Sequence, residues 1–325
     1  MRAVVTGGTG FVGSHLAERL VAEHADVDCL VRPTSSLGWL RPLPLRLREA
    51  SLFDADGLRH ALGGAELVFH VAGRIRARHD AEYRRDNVLA TELVARACLE
   101  ARPAPRRLVV VSSQAAAGPA PPERPAREDD VPRPVSAYGR SKLAAERIAL
   151  DFADRLEVTV VRPPTVYGPR DQALLPLFRL VGRRVAPRLP GDPVVSIVHV
   201  RDLIDCIWRA ATAPHAAARV YFAAADPPAS FGALLDLIGR AMRVRPLALP
   251  VPAPLLLSAG VLSGLLNRLG GEPRPFDLAK ARDMLRVGWV CSSERAAAEL
   301  GWRPSVSHAE GLSETAAWYR RQGWL

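Results

Sequence analysis

The chain has 325 residues, of which 48% are hydrophobic, enough for one large domain or for a large domain with a smaller partner. Its net charge is +10, but arginines occur throughout the chain without a basic tail, and aromatic residues are only 6%, which argues against nucleic-acid binding. Four scattered cysteines without C-x-x-C spacing argue against a metal site or a disulfide framework. The N-terminus leaves no room for a signal peptide before the first strand, so we expect a cytoplasmic protein with free thiols.

The first predicted unit is a strand at residues 3–6, a glycine-rich turn and a helix at residues 14–23. Gly7 turns the chain, Gly10 lets backbone amides approach a phosphate, and Gly13 allows the helix to pack closely. A dinucleotide pyrophosphate would then bind at the helix N-terminus. The alternative is a tight turn without a ligand.

The second predicted strand, at residues 27–31, ends where a dinucleotide-binding protein contacts the adenosine ribose. An acidic residue at this point would bind the ribose hydroxyls of NAD, but here Val31 is followed by Arg32, Pro33 and hydroxyl side chains. An arginine beside hydroxyls suits a 2′-phosphate, so the sequence favours NADP, with NAD as the other possibility. The alternative is that Arg32 is one more surface arginine.

Strands and helices continue to alternate up to residue 101, which predicts a parallel, doubly wound sheet. We predict strands at residues 45–48 and 66–73 and helices at residues 56–62 and 88–100. Ala72 and Gly73 end the second of these strands and would let the cofactor lie against the backbone. Asn87 is either a helix cap or a polar anchor near the cofactor. After Gly73, one of Arg74 and Arg76 could meet a substrate carboxylate, although a solvated surface is the better explanation of them.

An apolar strand at residues 108–111 delivers Ser112 and Ser113 to the sheet edge where ligands bind in α/β folds. Both serines could also be ordinary turn residues. A proline-rich loop at residues 116–134 then leads to Tyr138, which precedes Lys142 by one helical turn.

An ammonium beside a phenol favours the phenolate, so this spacing predicts a tyrosine with a lowered pKa that acts as a general acid or base. The spacing also occurs by chance on solvated helices. However, lysine occurs only at positions 142 and 280 of this arginine-rich chain, which favours a specific use of the ammonium of Lys142.

Several motifs follow one another along the chain: Thr6-Gly7-x-x-Gly10-x-x-Gly13, Val71-Ala72-Gly73, Asn87, Val111-Ser112-Ser113, Tyr138-x-x-x-Lys142, Arg162-Pro163-Pro164-Thr165-Val166-Tyr167-Gly168-Pro169 and Val198-His199-Val200-x-Asp202-Leu203. Together they resemble the extended short-chain dehydrogenase/reductases, the NAD-dependent epimerase/dehydratase family. The resemblance covers essentially the whole chain.

The resemblance implies a catalytic triad and a set of cofactor-binding residues. Tyr138 would be the acid/base, Lys142 would bind the nicotinamide ribose, and Ser113 would hydrogen-bond the substrate oxygen. The implied cofactor-binding residues are Gly7, Gly10, Phe11, Val12, Gly13, Arg32, Ser51, Leu52, Val71, Ala72, Gly73, Asn87, Tyr138, Lys142, Pro164 and Thr165. The resemblance also implies a homodimer that forms through the helices of residues 87–100 and 138–152.

Departures from the family pattern narrow the range of expected substrates and argue against a sugar nucleotide. Gln114 and Ala115 stand where family dehydratases have an acidic pair, so sugar-nucleotide 4,6-dehydration is not expected. Thr165 replaces an asparagine, residues 194–197 lack an arginine-aspartate-phenylalanine run, and Ser51 replaces an acidic residue near the adenine. Residues 31–35 instead resemble the branch of dihydroflavonol reductases and 3β-hydroxysteroid dehydrogenases.

Beyond residue 169 we predict strands at residues 194–200 and 220–223 and helices at residues 203–212, 231–242, 255–269, 276–285, 293–300 and 308–322. We expect His199 and Asp202, at a strand-to-helix junction, to be structural. The apolar residues 250–269 are too few and too proline-flanked for a transmembrane span. They allow three interpretations: a buried substrate-domain helix, a lid over a lipophilic pocket, or a membrane-surface contact.

The sequence therefore predicts an α/β protein with a Rossmann-like doubly wound parallel sheet and a smaller C-terminal substrate domain. Residues 1–168 would form the dinucleotide-binding domain, to which segments near residues 194–225 return, and residues 169–325 would mostly bind substrate. The predicted function is NADP-preferring hydride transfer with a secondary alcohol or ketone of a hydrophobic small molecule. An NAD-dependent nucleotide-sugar epimerase and a non-catalytic NADP-binding sensor are the alternatives.

Overall fold

The computed structural model describes residues 1–268, 278, 281, 282, 285 and 288–325. Its centre is a seven-stranded sheet in which every neighbouring pair is parallel, with the strand order β11-β6-β5-β4-β1-β2-β3. The strands of this sheet are β1 (Arg2–Thr6), β2 (Asp26–Val31), β3 (Arg46–Glu49), β4 (Leu67–His70), β5 (Arg107–Val111), β6 (Glu157–Arg162) and β11 (Arg219–Phe222). The chain reverses its winding direction between β1 and β4, and this is the point where open α/β sheets bind dinucleotides.

Helices cover both faces of the sheet, which confirms the predicted fold class. They are α1 (Phe11–Ala22), α2 (Ala55–Leu62), α3 (Asp80–Tyr83), α4 (Ala90–Glu100), α5 (Ala137–Leu150), α6 (Leu175–Gly182), α7 (Val200–Thr212), α8 (Phe231–Met242), α9 (Ala253–Arg268), α10 (Glu294–Leu300) and α11 (His308–Arg321). Successive side chains of a strand point to opposite faces. Thus Val5 packs in the core that contains α1 and α7, whereas Val4 packs in the core that contains α2, α4 and α5.

The C-terminal region adds short strands outside the main sheet. These strands are β7 (Thr165–Tyr167), β8 (Val185–Arg188), β9 (Val194–Val195), β10 (Ile197–His199), β12 (Ala229–Ser230), β13 (Leu247–Pro250) and β14 (Gly288–Trp289). They pair as β10-β7, β12-β9-β14 and β13-β8. A third core, with Phe178, Leu235 and Tyr319, joins α6, α8 and α11.

Most predicted elements are present, and their ends differ by a few residues. The strand predicted at residues 194–200 is two strands, because Ser196 separates β9 from β10 and hydrogen-bonds with Trp289 and Cys291. β6 was not predicted, although it lies inside the main sheet between β11 and β5. The helix predicted at residues 276–285 lies largely outside the described residues. All four cysteines are free thiols and buried.

The helix predicted at residues 255–269 is α9, and its described part packs on the third core through Leu256 but leaves another face exposed. Leu255, Val261 and Leu262 are 61%, 45% and 60% exposed. Within the part of the chain that the structure describes, no helix has the length and apolar character needed to cross a membrane. The lid and the membrane-surface contact stay as predictions.

Candidate active site

The glycine turn between β1 and α1 is packed too closely for side chains. Gly7 has a φ of +73°, and a Cβ there would lie 2.6 Å from the backbone nitrogen of Ala72. A Cβ at Gly13 would lie 2.1 Å from the carbonyl oxygen of Gly7. The turn therefore presses the start of α1 against the end of β4, as the sequence predicted.

The N-terminus of α1 is open to a ligand. Gly10 is the N-cap residue and is exposed, and without a side chain it makes no cap hydrogen bond to the helix. The first amides of a helix without such a cap attract anions. Phe11 and Val12 begin the helix at half-buried positions. This cradle fits the pyrophosphate of a dinucleotide.

The end of β4 is held by a buried hydrogen-bond chain. The ring of His70 contacts the Thr6 hydroxyl at 2.8 Å through Nδ1 and the Thr91 hydroxyl at 3.1 Å through Nε2. The amide of Val71 donates to the Thr6 carbonyl, and the amide of Ala72 donates to the Thr6 hydroxyl. Burial lowers the pKa of His70 to about 3, so the ring is neutral and structural.

Asn87 does not cap a helix, contrary to the first of our two interpretations. It lies within a π-helical turn, Arg84–Leu89, inside one continuous helical stretch from α3 to α4. Its side chain accepts a hydrogen bond from the amide of Arg74 at 2.7 Å and donates to the carbonyl of Arg74 and the hydroxyl of Ser141. Asn87 thus ties the chain after Gly73 to α5. A single π-turn inside an α-helix is rare and has no cap signature in the sequence, so the cap pattern did not reveal it.

Ser113 and the start of α5 are brought together by a close backbone approach. Ser113 lies just after β5 and caps a short 3-10 helix, Gln114–Ala116, by accepting a hydrogen bond from the amide of Ala115. A Cβ at Gly139 would lie 2.3 Å from the carbonyl oxygen of Ala115, so only glycine allows this contact. Gly139 therefore places Tyr138 beside Ser113.

Tyr138 is half-buried and has a raised pKa, which corrects the lowered value expected from the sequence. Burial raises the pKa of Tyr138 to about 12, and a hydrogen bond with Ser113 offsets this only in part. The ring of Tyr83 lies 6.0 Å from that of Tyr138, centroid to centroid. In this structure desolvation sets the direction of the shift, and the nearby Tyr83 and Glu146 add to it.

Lys142 lies on the same helix and is buried. Its Nζ donates a hydrogen bond to the carbonyl of Val111 at 2.8 Å, and it lies 3.6 Å from where a Cβ at Gly73 would be. Burial lowers the pKa of Lys142 to about 8, although the nearby Glu146 carboxylate favours the charged form. Glu146 itself forms a buried, bidentate ion pair with Arg162 at the end of β6.

The remaining predicted cofactor residues follow other strand ends. Arg32 lies exposed after β2, and its backbone amide bonds to the Ser35 hydroxyl. After β3, Ser51 is exposed and Leu52 is half-buried against the sheet. Pro164 is buried and Thr165 is exposed at the start of β7.

The structure bears on two expectations for residues outside the cofactor site: that Arg74 or Arg76 binds a substrate carboxylate, and that His199 and Asp202 are structural. The guanidinium of Arg74 is already paired with Asp86 at 2.5 Å and with Glu82 at 3.2 Å, so it is committed to the protein. His199 is fully buried against Tyr167, and Asp202 accepts hydrogen bonds from Ser305 and Val306, which are structural contacts as expected. Arg76 is exposed, and its charge lowers the pKa of Asp171, which burial nevertheless raises to about 6.

Sequence reasoning missed two groups of this site, Tyr83 and Glu146. Glu146 follows Lys142 by four residues, and this spacing could have revealed it. Tyr83 reaches Tyr138 from another helix, and no sequence pattern links the two. No cluster of acidic, histidine or cysteine residues among the described residues could hold a metal ion.

The residues present fit a dinucleotide cofactor. A glycine cradle stands before an uncapped helix N-terminus, and the uncovered Gly73 lies next to the ammonium of Lys142. These features meet at one edge of the sheet with Ser113 and Tyr138.

Known proteins are similar to this chain over most of its length. The NAD dependent epimerase/dehydratase family matches residues 3–223. A ceramide reductase of Caulobacter vibrioides is 31% identical, over 99% of this chain and 95% of its own. A 4-hydroxy-2-methyl-3-oxo-4-farnesyl-3,4-dihydroquinoline-1-oxide ketoreductase of Stigmatella aurantiaca is 29% identical, over 96% and 95%.

Among solved structures, MoeE5 in complex with UDP-glucuronic acid and NAD aligns with a TM-score of 0.77 and 27% identity, over 99% of this chain and 100% of its own. The reductases and this NAD-binding structure agree with the site geometry, which is that of an NAD(P)-dependent short-chain dehydrogenase/reductase. The chain belongs to the NAD dependent epimerase/dehydratase family.

Proposed function

We propose that this enzyme is an NADP-preferring reductase or dehydrogenase that acts on a secondary alcohol or ketone of a lipophilic small molecule. The observation that carries the proposal is the convergence of Ser113, Tyr138 and Lys142 at the edge of the sheet where the glycine cradle lies. This is the geometry that hydride transfer coupled to proton transfer needs.

Each residue has a separate role in this proposal. Tyr138 donates a proton to the substrate oxygen in reduction and accepts it in oxidation. Its pKa lies well above neutrality, so the phenol carries the proton that reduction requires. The Ser113 hydroxyl hydrogen-bonds the same oxygen and holds it next to the phenol. The Lys142 ammonium binds the nicotinamide ribose, and the bound nicotinamide supplies or accepts the hydride.

The NADP preference rests on the strand end after β2. Arg32 is exposed there, and it has no ion-pair partner among the residues that the structure describes. A free guanidinium with the nearby Ser35 and Ser36 suits a phosphate better than a ribose hydroxyl. Residues Gly7, Gly10, Gly13, Ala72 and Gly73 would hold the rest of the cofactor.

Two observations support a lipophilic substrate: residues at which this chain differs from sugar-nucleotide enzymes of the family, and the substrates named for two of its relatives. Gln114 and Thr165 replace residues that serve nucleotide-sugar chemistry in the family. The ceramide reductase and the farnesyl-quinoline ketoreductase both carry names of long-chain substrates. Residues 169–325 would mostly form the substrate domain, and α9 would be a lid over its lipophilic pocket.

A homodimer belongs to the same proposal. The outer face of α5 has a shallow hollow lined by Pro134, Arg140, Leu143, Ala144, Arg147 and Ile148. The neighbouring α3–α4 stretch exposes Leu89. These faces would pair between two copies. The buried free thiols favour a reducing, cytoplasmic location.

A nucleotide-sugar epimerase is the second candidate, because MoeE5 binds UDP-glucuronic acid and NAD at 27% identity. A non-catalytic NADP-binding sensor is a weaker third candidate, because the intact set of Ser113, Tyr138 and Lys142 would serve no purpose in it.

Cofactor binding and turnover separate these candidates. We expect tighter binding of NADPH than of NADH by fluorescence titration, and NADPH consumption with long-chain ketones or 3-ketosteroids. Preference for NAD, with interconversion of a UDP-sugar and no net reduction, would favour the epimerase. Binding of NADPH without turnover of any carbonyl would favour the sensor.

A further inference from the structure

Exposed apolar side chains are concentrated in one segment of the C-terminal region. Among the described residues, twelve large hydrophobic side chains are exposed, and five of them lie between residues 247 and 262. These five are Leu247, Leu249, Leu255, Val261 and Leu262. Such a concentration marks a surface that contacts a partner rather than a scatter of single side chains.

The face of α9 that points outward is uncharged and mostly apolar over two turns. Leu255, Ser258, Ala259 and Leu262 follow the spacing of one helix face and are all exposed. On the opposite face Gly260 is buried, and Leu256 packs on the third core. Because one side of α9 packs on the protein and the other is exposed, the helix would meet a bilayer along its length, lying on the surface.

Two segments of the C-terminal half carry most of the protein's net charge. Residues 172–191 and 237–268 together contain eight arginines and no acidic residue. The remaining 273 residues contain 36 basic and 34 acidic residues, which nearly balance. The excess charge arises because these two segments lack acidic residues, since arginines occur at a similar density in the rest of the chain.

The fold joins these two segments. β13 pairs with β8, so that Leu247 lies beside Val185, and the amide of Leu247 bonds to the carbonyl of Arg184. Arg183, Arg184, Arg243 and Arg245 are exposed around this ribbon. We call residues 183–188 and 243–263 the basic apolar face. Arg188 is partly neutralised by its ion pair with Asp236 at 2.5 Å.

We propose that the basic apolar face binds the surface of an anionic phospholipid bilayer. Its arginines complement the phosphate headgroups, and the leucines of α9 and β13 insert among the upper acyl chains. A second copy of this chain fits less well, because a two-fold interface would bring this face against itself with its arginines opposed. The inference needs no catalytic turnover, so it stands or falls separately from the proposed function.

The test is co-sedimentation of the full-length protein with lipid vesicles. We expect binding to vesicles of mixed phosphatidylcholine and phosphatidylglycerol that is stronger than binding to pure phosphatidylcholine by about tenfold or more, and that weakens as salt is added. Equal affinity for both vesicles, or binding to neither, would overturn the proposal.

Two pairs of variants locate the contact. Arg183→Glu with Arg245→Glu should weaken binding to anionic vesicles by about tenfold or more, whereas Arg124→Glu with Arg303→Glu, the same charge change elsewhere, should weaken it much less. Leu255→Ser with Leu262→Ser should weaken it by about tenfold, and Val131→Ser should not.

Folding of each variant is checked by circular dichroism. Light scattering, which measures the oligomeric state, tests the alternative that a second copy of the chain covers this face. If the wild type does not bind vesicles and the Leu255→Ser/Leu262→Ser variant loses dimerisation, the face joins two copies and the proposal is wrong. Equal vesicle binding by the face variants and their controls would also contradict it.

Discussion

The sheet edge around Tyr138 and the basic apolar face differ in whether their side chains find partners within the protein. At the sheet edge, Asn87, Lys142 and Glu146 are buried and bonded to defined partners. On the basic apolar face, leucines and arginines are exposed together. The first region is organised before any ligand arrives, whereas the second shows side chains whose partner lies outside the chain. Mutations should therefore affect chemistry and stability at the first and association at the second.

The largest expected effect is on turnover, at the centre of the sheet edge. Tyr138→Phe removes the proton donor and keeps the ring, so kcat should fall by about 10²- to 10⁴-fold while the Kd for NADPH stays nearly unchanged. Tyr221→Phe makes the same chemical change on β11 and should keep kcat. Wild-type turnover in Tyr138→Phe would remove the acid/base assignment.

The next effect is on stability and tests the contribution of the buried Glu146–Arg162 ion pair beside Lys142. Glu146→Gln leaves the buried guanidinium of Arg162 without its carboxylate, and we expect a loss of about 3–5 kcal/mol in the free energy of unfolding, measured by urea denaturation. The matched control is Glu92→Gln in the exposed Glu92–Arg96 pair, which should cost less than about 1 kcal/mol. Similar losses in both variants would mean that the buried pair contributes no more than a surface pair.

The pH dependence of stability tests the burial of Lys142. Its pKa is about 8 when folded and 10.5 as the ordinary value, so between these values the unfolded chain binds more protons and this residue's contribution to stability rises with pH. Lys142→Met removes that contribution. The difference in unfolding free energy between wild type and variant should change by about 1.5 kcal/mol in favour of the wild type from about pH 8 to about pH 9.5. A difference that is independent of pH would mean that Lys142 keeps its ordinary pKa.

Cofactor choice is tested at the strand end after β2. Arg32→Ala should weaken NADPH binding by about tenfold or more and leave NADH binding nearly unchanged, because only NADPH carries the 2′-phosphate. Arg124→Ala, at another exposed arginine, is the control. An unchanged ratio of the two Kd values would contradict the NADP preference.

The smallest expected effect is on the free energy of unfolding when leucines of the basic apolar face are replaced. Leu255→Ser with Leu262→Ser should change the free energy of unfolding by no more than about 0.5 kcal/mol, because both side chains are exposed. A loss of several kcal/mol would show that they pack on the protein and are not available for a bilayer.

Much of the fold and of the site could be predicted because local patterns encode it. The glycines of the first turn, the strand-helix alternation and the Tyr138–Lys142 spacing depend on residues near one another in sequence. The direction of the Tyr138 pKa could not be predicted, because it depends on burial by residues far away in sequence. The π-turn at Asn87 and the Tyr83 ring beside Tyr138 also depend on packing between separate helices.

The sequence by itself determined the family, the α/β sheet and the residues that carry the proposed chemistry, because backbone geometry requires glycine at particular turns and helical spacing places Tyr138 and Lys142 on one face. Only the tertiary structure decided that burial raises the pKa of Tyr138, that Arg74 is committed to Asp86, and that two distant segments without acidic residues join through β8 and β13. Desolvation and charge clustering are properties of groups that meet in space, and no local pattern specifies which groups meet.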